Sequence, residues 1–131
     1  MQLAEKTEYT DAWNSSYSRS ENFLFLPGDE VIRFVARFLR RRMDINDIRD
    51  ICPGAGGSRV LDVGCGIGRN ILFGQNMGMT MYGNDLSATA VAKAIEWLSP
   101  QIGTDIAQRI VASDIRTLPW EKAFFDHAIS D

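Results

Sequence analysis

The sequence is short of several residue types, and each shortage narrows what the chain can be. Its 131 residues hold two cysteines and a single histidine. Cys52 and Cys65 lie 13 positions apart with no CxxC partner at either end, so no metal spacing is present and no metal is expected. So few thiols suit a reducing compartment, which points to the cytoplasm. No apolar run approaches the roughly 20 residues that cross a bilayer, so no membrane partner is expected. Basic residues are outnumbered, 14 Lys+Arg against 17 Asp+Glu, for a net charge of −3. A chain of that sign has no general attraction for nucleic acid or an anionic membrane. The opening residues Met1 to Glu8 are polar and acidic, unlike a secretory or transit segment. What remains is average for a globular protein: 45% hydrophobic and 24% charged residues, at a length that allows one domain.

Three zones follow from the pattern along the chain. Residues 1–28 are polar, with scattered aromatics (Tyr9, Trp13, Tyr17, Phe23, Phe25), and end in Pro27-Gly28. Val31, Ile32, Phe34, Val35, Phe38 and Leu39 then repeat at the spacing of one helical face, which predicts a helix from about Asp29 to Arg42. Asp29 and Glu30 at its start and Arg40-Arg41-Arg42 at its end match the helix dipole. Ile45, Ile48 and Ile51 suggest a further helical turn from Asp44 to Ile51, before Pro53-Gly54-Ala55-Gly56-Gly57 breaks the chain. The set Arg33, Arg37, Arg40, Arg41, Arg42 reads either as a surface for an anion or RNA or as a solvated helix face.

From Arg59 short apolar runs alternate with helical stretches. Strands are predicted at Val60–Val63, Thr80–Gly83, Arg109–Ala112 and Phe124–Ile129. Helices are predicted at Asn70–Asn76 and Ala88–Leu98, the second capped by Ser87 and stopped by Ser99-Pro100. That alternation implies an α/β fold with a parallel sheet.

The informative stretch is Val60-Leu61-Asp62-Val63-Gly64-Cys65-Gly66-Ile67-Gly68-Arg69-Asn70. Glycines between a strand and a helix let a ligand lie against the backbone near the positive helix end. A nucleotide-like ligand is then expected at the carboxyl edge of the strands. A dinucleotide fingerprint starting at Gly64 requires glycine or alanine where Arg69 stands. One starting at Gly66 fails at Ile71, and the Gly-Lys-Ser/Thr of a phosphate-binding loop is absent.

What is present, Asp62-x-Gly64-x-Gly66-x-Gly68, resembles motif I of the class I S-adenosylmethionine-dependent methyltransferases. The resemblance extends through Gly83-Asn84-Asp85-Leu86-Ser87, where the family's acid closes the second strand. It continues with Ala112-Ser113-Asp114-Ile115 after the third strand, then Leu118-Pro119-Trp120, then Phe125-Asp126-His127-Ala128-Ile129-Ser130-Asp131 as the fourth-strand signature. These elements occur in order over residues 58 to 131.

The resemblance implies a Rossmann-like parallel sheet in three α/β/α layers, of which this sequence carries the N-terminal half. A helical cap precedes it, with residues 1–58 as the cap and 59–131 as the core. It implies S-adenosylmethionine as cofactor, with Asp62, Gly64, Cys65, Gly66 and Gly68 around the methionine and sugar, Asp85 and Leu86 at the ribose, and Asp114 and Ile115 at the adenine. One carboxylate can accept from two vicinal hydroxyls, which suits Asp85. The family's sheet has seven strands and this sequence reaches the fourth, so a partial gene product or split fragment is expected. No catalytic residue is named by the motif. Ser130 and Asp131 fall where the family presents acceptor-facing groups. The aromatics of the cap would close over the cofactor, although Trp13 and Tyr17 read first as packing residues rather than substrate contacts. Cys65 reads as a space-filling residue, and His127 as a structural residue within its strand.

The function this implies is methyl transfer to an acceptor of unknown identity, with the acidic balance favouring a small molecule. Two rivals stand beside it. One is a non-catalytic cofactor-binding fragment or partner subunit, for which an exposed fourth-strand edge would invite self-association or a second chain. The other is a nicotinamide-dependent oxidoreductase, which the glycine spacing disfavours.

Overall fold

The computed structural model describes residues 10–12, 14 and 25–131. The predicted cap aromatics Tyr9, Trp13, Tyr17 and Phe23 lie outside the described residues.

Helix α1 (Asp29–Phe34) is followed by a five-residue π-turn, Val35–Leu39. The helix predicted to reach Arg42 therefore ends early, and the reason is visible in its buried residues. Val31, Val35 and Leu39 are buried at a spacing of four. An α-helix with 3.6 residues per turn lets such a row drift, and the wider π-turn brings Leu39 back into line.

Arg40–Asp44 then form strand β1 and Asp47–Asp50 strand β2, an antiparallel hairpin where a helical turn was expected. Arg40 carries the change. Its guanidinium pairs with Asp50 across the hairpin (3.0 Å) and donates to the carbonyls of Met77 and Ile48. The Leu39 carbonyl accepts from the amides of Ile51 and Cys52 instead of from a next helical turn. At the hairpin tip the Ile45 amide is held by Asp44 Oδ1, and Ile45 itself is 80% exposed, so the apparent isoleucine face is no helix face.

The remaining elements follow the predicted order: β3 (Arg59–Val63), α2 (Arg69–Asn76), β4 (Thr80–Asp85), α3 (Ala88–Ile102), β5 (Ile110–Ala112) and β6 (His127–Ser130). They build a parallel sheet in the order β5-β4-β3-β6. Helix α3 passes through Pro100 rather than stopping before it. Pro100 sits on the solvent side, and fully buried Leu98 anchors the last turns. Side chains contribute bonds to this end, Ser99 Oγ donating to the Ile95 carbonyl and Gln101 Nε2 to that of Trp97.

One sheet face packs on α2. There Met81 and Gly83 approach so closely that a Cβ on Gly83 would lie 2.6 Å from Ile71 Cδ1 and 2.9 Å from Cys65 Sγ. Ile71, Ala94, Leu98, Ile110 and Ile129 share one buried cluster with Val31 and Val35. Because strand residues alternate between faces, Tyr82 points the other way. On that face it meets Trp120, Phe124 and Phe125 edge-on, with ring centroids 5.3–5.4 Å apart. Phe124 and Phe125 occupy the segment predicted to begin the fourth strand. The strand starts later, after Asp126, which pairs with the Arg59 backbone through both its amide and its Oδ2. Among the described residues no helix is long and apolar enough to cross a membrane.

Candidate functional site

The order of the sheet reverses at β3: β4 and β5 lie to one side of it and β6 to the other. In open parallel sheets a crevice forms at the carboxyl ends beside such a reversal. The glycine loop 64–68 leaves β3 at this point. Gly64, Gly66 and Gly68 all have positive φ (69°, 56° and 84°), backbone that side-chain-bearing residues rarely adopt. Among the described residues, its chain neighbours apart, no atom lies within 4 Å of where a Cβ on Gly64 would stand, so they leave the main chain there open to a ligand.

The loop is held from three directions. The Cys65 amide donates to the Asn84 carbonyl (2.9 Å), the Gly68 amide to the Cys65 carbonyl (2.9 Å), and the Trp97 indole N–H of α3 to the Ile67 carbonyl (2.5 Å). Cys65 turns its side chain inward against Gly83, and its thiol is raised well above its ordinary pKa by burial and by the neighbouring Asp62 and Asp85 charges. A thiol held protonated this way fills space and is no nucleophile.

Asp85, at the end of β4, joins the loop to α3. Its Oδ2 accepts from the Gly66 amide and its Oδ1 from the Ser87 amide, both at 2.9 Å. Ser87 caps α3 by accepting from the Ala90 amide, and its hydroxyl donates to Asn14 Oδ1. The same Asn14 oxygen accepts from the Thr89 amide, so Asn14 docks at the start of α3 beside Asp85. Sequence reasoning missed Asn14, since an isolated asparagine in a polar stretch carries no pattern. Each Asp85 oxygen retains a lone pair for a further hydroxyl. Leu86 beside it is 36% exposed.

Asp62 lies beneath the loop and is 1% exposed, yet its Oδ2 has no hydrogen-bond partner among the described residues. Its carboxyl is pushed up from its ordinary 3.8 to about 7, first by burial, then by the Asp131 charge and less by Asp85, with Arg69 pulling the other way. Asp131 follows β6 and is gripped by Arg69 (2.7 Å) and by Asn70 Nδ2 (3.3 Å) from the first turn of α2. Asn70 Oδ1 accepts from the Gly28 amide, and Arg69 donates to the Leu26 carbonyl, so residues 26–28 are tied to the same corner. The Arg69–Asn70 pair was legible only as the residues after the glycines, because its partners are about 40 and 60 positions away.

Asp114 and Ile115 lie just beyond β5, whose end is fixed to β4 by the Ser113 amide on the Asp85 carbonyl. Ile115 is 47% exposed. Asp114 caps a short 3₁₀ turn and binds the Arg116 guanidinium through both oxygens (3.0 and 2.8 Å). The structure thus brings Asp62, the glycine loop and Asp85 directly together, with Leu86, Asp114 and Ile115 along the adjoining strand ends. His127 opens β6, paired in register with Val60 at the start of β3, away from the loop. Of the arginine set, Arg40 is committed to Asp50 and Met77, Arg41 to the Ala36 carbonyl, and Arg42 to those of Asp44 and Ile45. Arg33 and Arg37 are exposed on the preceding helical turns.

The model of one family, described as a methyltransferase domain, matches residues 60–131. No curated protein matches the chain. Among solved structures, the chain is similar to magnesium protoporphyrin IX methyltransferase from Synechocystis PCC 6803, solved with bound S-adenosylmethionine. The identity is 19% over 98% of this chain and 62% of that one, with a TM-score of 0.65. Phosphoethanolamine N-methyltransferase 2 from Haemonchus contortus, in complex with S-adenosylmethionine, is 26% identical over 95% of this chain and 26% of its own, with a TM-score of 0.58. A glycopeptide N-methyltransferase complexed with sinefungin matches at 17% identity over 95% of this chain and 47% of its own, with a TM-score of 0.56. The chain spans less than two thirds of the length of each.

Proposed function

The chain belongs to the methyltransferase domain family, and from that premise we propose that it binds S-adenosylmethionine at the glycine loop and transfers a methyl group to a small-molecule acceptor. The observation that carries the cofactor is the buried carboxyl of Asp62 beneath the glycine loop, whose Oδ2 has no hydrogen-bond partner among the described residues. It sets the sign of charge that the loop accepts. A dinucleotide would lay an anionic pyrophosphate over Asp62, with Asp85 and Asp131 nearby. S-adenosylmethionine instead brings a sulfonium and an ammonium, and opposite charges at short range in a low dielectric attract strongly.

The residues present fit that ligand. Asp85 has lone pairs left for the two ribose hydroxyls while its amide bonds keep the carboxylate oriented. Leu86 and Ile115 supply exposed apolar surface for the adenine, and Asp114 lies within the same run of strand ends. When bound, the cofactor supplies a methyl group that is already strongly electrophilic. The protein's contribution is then alignment and exclusion of water. The loop is braced for that role by Trp97 and Asn84.

A small-molecule acceptor is supported by the net charge of −3. Its two thiols, both free, suit the cytoplasm. The test is to incubate the chain and methyl-labelled cofactor with separate fractions of small metabolites, total RNA and total protein. Label is expected in the small-molecule fraction. Label confined to RNA or protein would overturn the acceptor class.

A further inference from the structure

A cavity of about 330 Å³ lies between α1 and β6, lined by Glu30, Val31, Phe34 and residues 128–131. Its polar lining comes from two carboxylates, Glu30 and Asp131, and the Ser130 hydroxyl. Among the described residues no basic side chain lines it, although Arg69 pairs with Asp131 from the side of the glycine loop, and the rest of its wall is apolar. We infer that this cavity takes a small amine-bearing cation with an apolar body and that such an amine is the methyl acceptor. The second half of that statement rests on the methyltransferase reading.

Three features support the placement. Asp131 belongs both to the cavity wall and to the corner of the glycine loop, because Arg69, the residue after Gly68, grips it at 2.7 Å. Its carboxylate is built in rather than adventitious. Asn70 donates to it, and Gly28 leaves it room, since a Cβ at Gly28 would strike its Oδ2. Finally, Ile129 in the cavity wall is the register partner of Asp62, a buried carboxyl whose Oδ2 has no hydrogen-bond partner among the described residues. An anionic acceptor would meet carboxylates on two sides. An ammonium group is attracted by both, and its hydrocarbon part has Val31, Phe34, Ala128 and Ile129 to lie against.

The reaction would balance with S-adenosylmethionine as the methyl donor. The bound ammonium gives a proton to the Glu30 carboxylate or to water, which frees the nitrogen lone pair. That pair forms the new N–C bond as the C–S bond breaks with its electrons going to sulfur. The products are the neutral thioether and a methylated ammonium.

The test is an NMR titration of the full chain, without cofactor, with hexylammonium, hexanol and hexanoate in parallel. Hexylammonium is expected to shift the amides of residues 128–131 and Val31 saturably, at least fivefold tighter than hexanol, with hexanoate inert. Glu30→Gln should weaken it about fivefold and Ser130→Leu should block it, each with an unchanged unfolding midpoint. Equal or tighter binding of hexanol or hexanoate, shifts centred elsewhere, or no saturable shift in the folded chain would overturn the assignment. Cover of the cavity by a second copy of the chain would do the same. A parallel titration with S-adenosylhomocysteine separates the two levels. If the thioether binds and the amine does not, the cavity assignment alone fails. If the amine binds and the thioether does not, the acceptor role falls with the methyltransferase reading.

Discussion

Asp85→Ala is expected to weaken binding of S-adenosylhomocysteine at least 100-fold in a calorimetric titration. Two losses combine in that figure. The ribose hydroxyls lose their acceptor, and charge-assisted bonds of this kind contribute about 1.5–3 kcal/mol each. The Gly66 and Ser87 amides lose theirs as well, so the loop and the start of α3 are no longer fixed relative to one another. Buried donors left unpaired cost about 1–3 kcal/mol apiece, so the unfolding midpoint should fall too. Asp85→Asn separates the contributions. It keeps one carbonyl oxygen for one amide and loses the charge, and it should fold while still binding at least tenfold more weakly. Normal binding by a folded Asn variant would remove Asp85 from the site.

The second large effect concerns Asp62 and has opposite signs for stability and binding. Its carboxyl titrates near 7 in the folded chain against an ordinary 3.8. The folded state therefore holds a proton that the unfolded state gives up between those values. Stability is complete below about pH 4 and is lost as pH rises through 7, by about 4 kcal/mol at most. Asp62→Asn has no such proton to lose. The variant should be more stable than the parent at pH 8, with little difference at pH 4, as measured by denaturant unfolding at both values. Binding runs the other way, because a cationic ligand stabilises the ionised carboxylate. Affinity for S-adenosylmethionine should rise several-fold between pH 5.5 and 8 in the parent and stay flat in the variant, which binds more weakly throughout. A parent whose apo stability rises from pH 4 to 8 would contradict the buried-carboxyl account.

How much was legible in the sequence divides at residue 59. Beyond it, each apolar strand is followed by a glycine, serine or proline boundary, and neighbouring strands pair in chain order from β3 to β5, so local pattern and tertiary pairing agree. Asp62, Gly64, Gly66, Gly68 and Asp85 converge for that reason: each sits within a few residues of a strand's carboxyl end. Before residue 59 the pattern misled. Arg40, Arg41 and Arg42 resemble a helix C-terminus by charge, yet Arg40 is fixed by Asp50 and the Met77 carbonyl, partners that periodicity cannot show. Beyond residue 59 the pattern misled at Pro100, which reads as a helix stop, but Leu98 is fully buried and its packing carries the helix onward. The Arg69–Asn70–Asp131 corner was invisible because it joins positions about 60 residues apart.

The loop over Asp62 should select a nucleoside bearing positive charge rather than a dinucleotide. Calorimetric titration of the whole chain at pH 8 with S-adenosylmethionine, S-adenosylhomocysteine and NAD tests it most directly. Saturable binding of the first two, tighter for the sulfonium, with no heat from NAD, is the predicted result. Binding of NAD, or failure of both sulfur ligands to bind the folded chain, would contradict it.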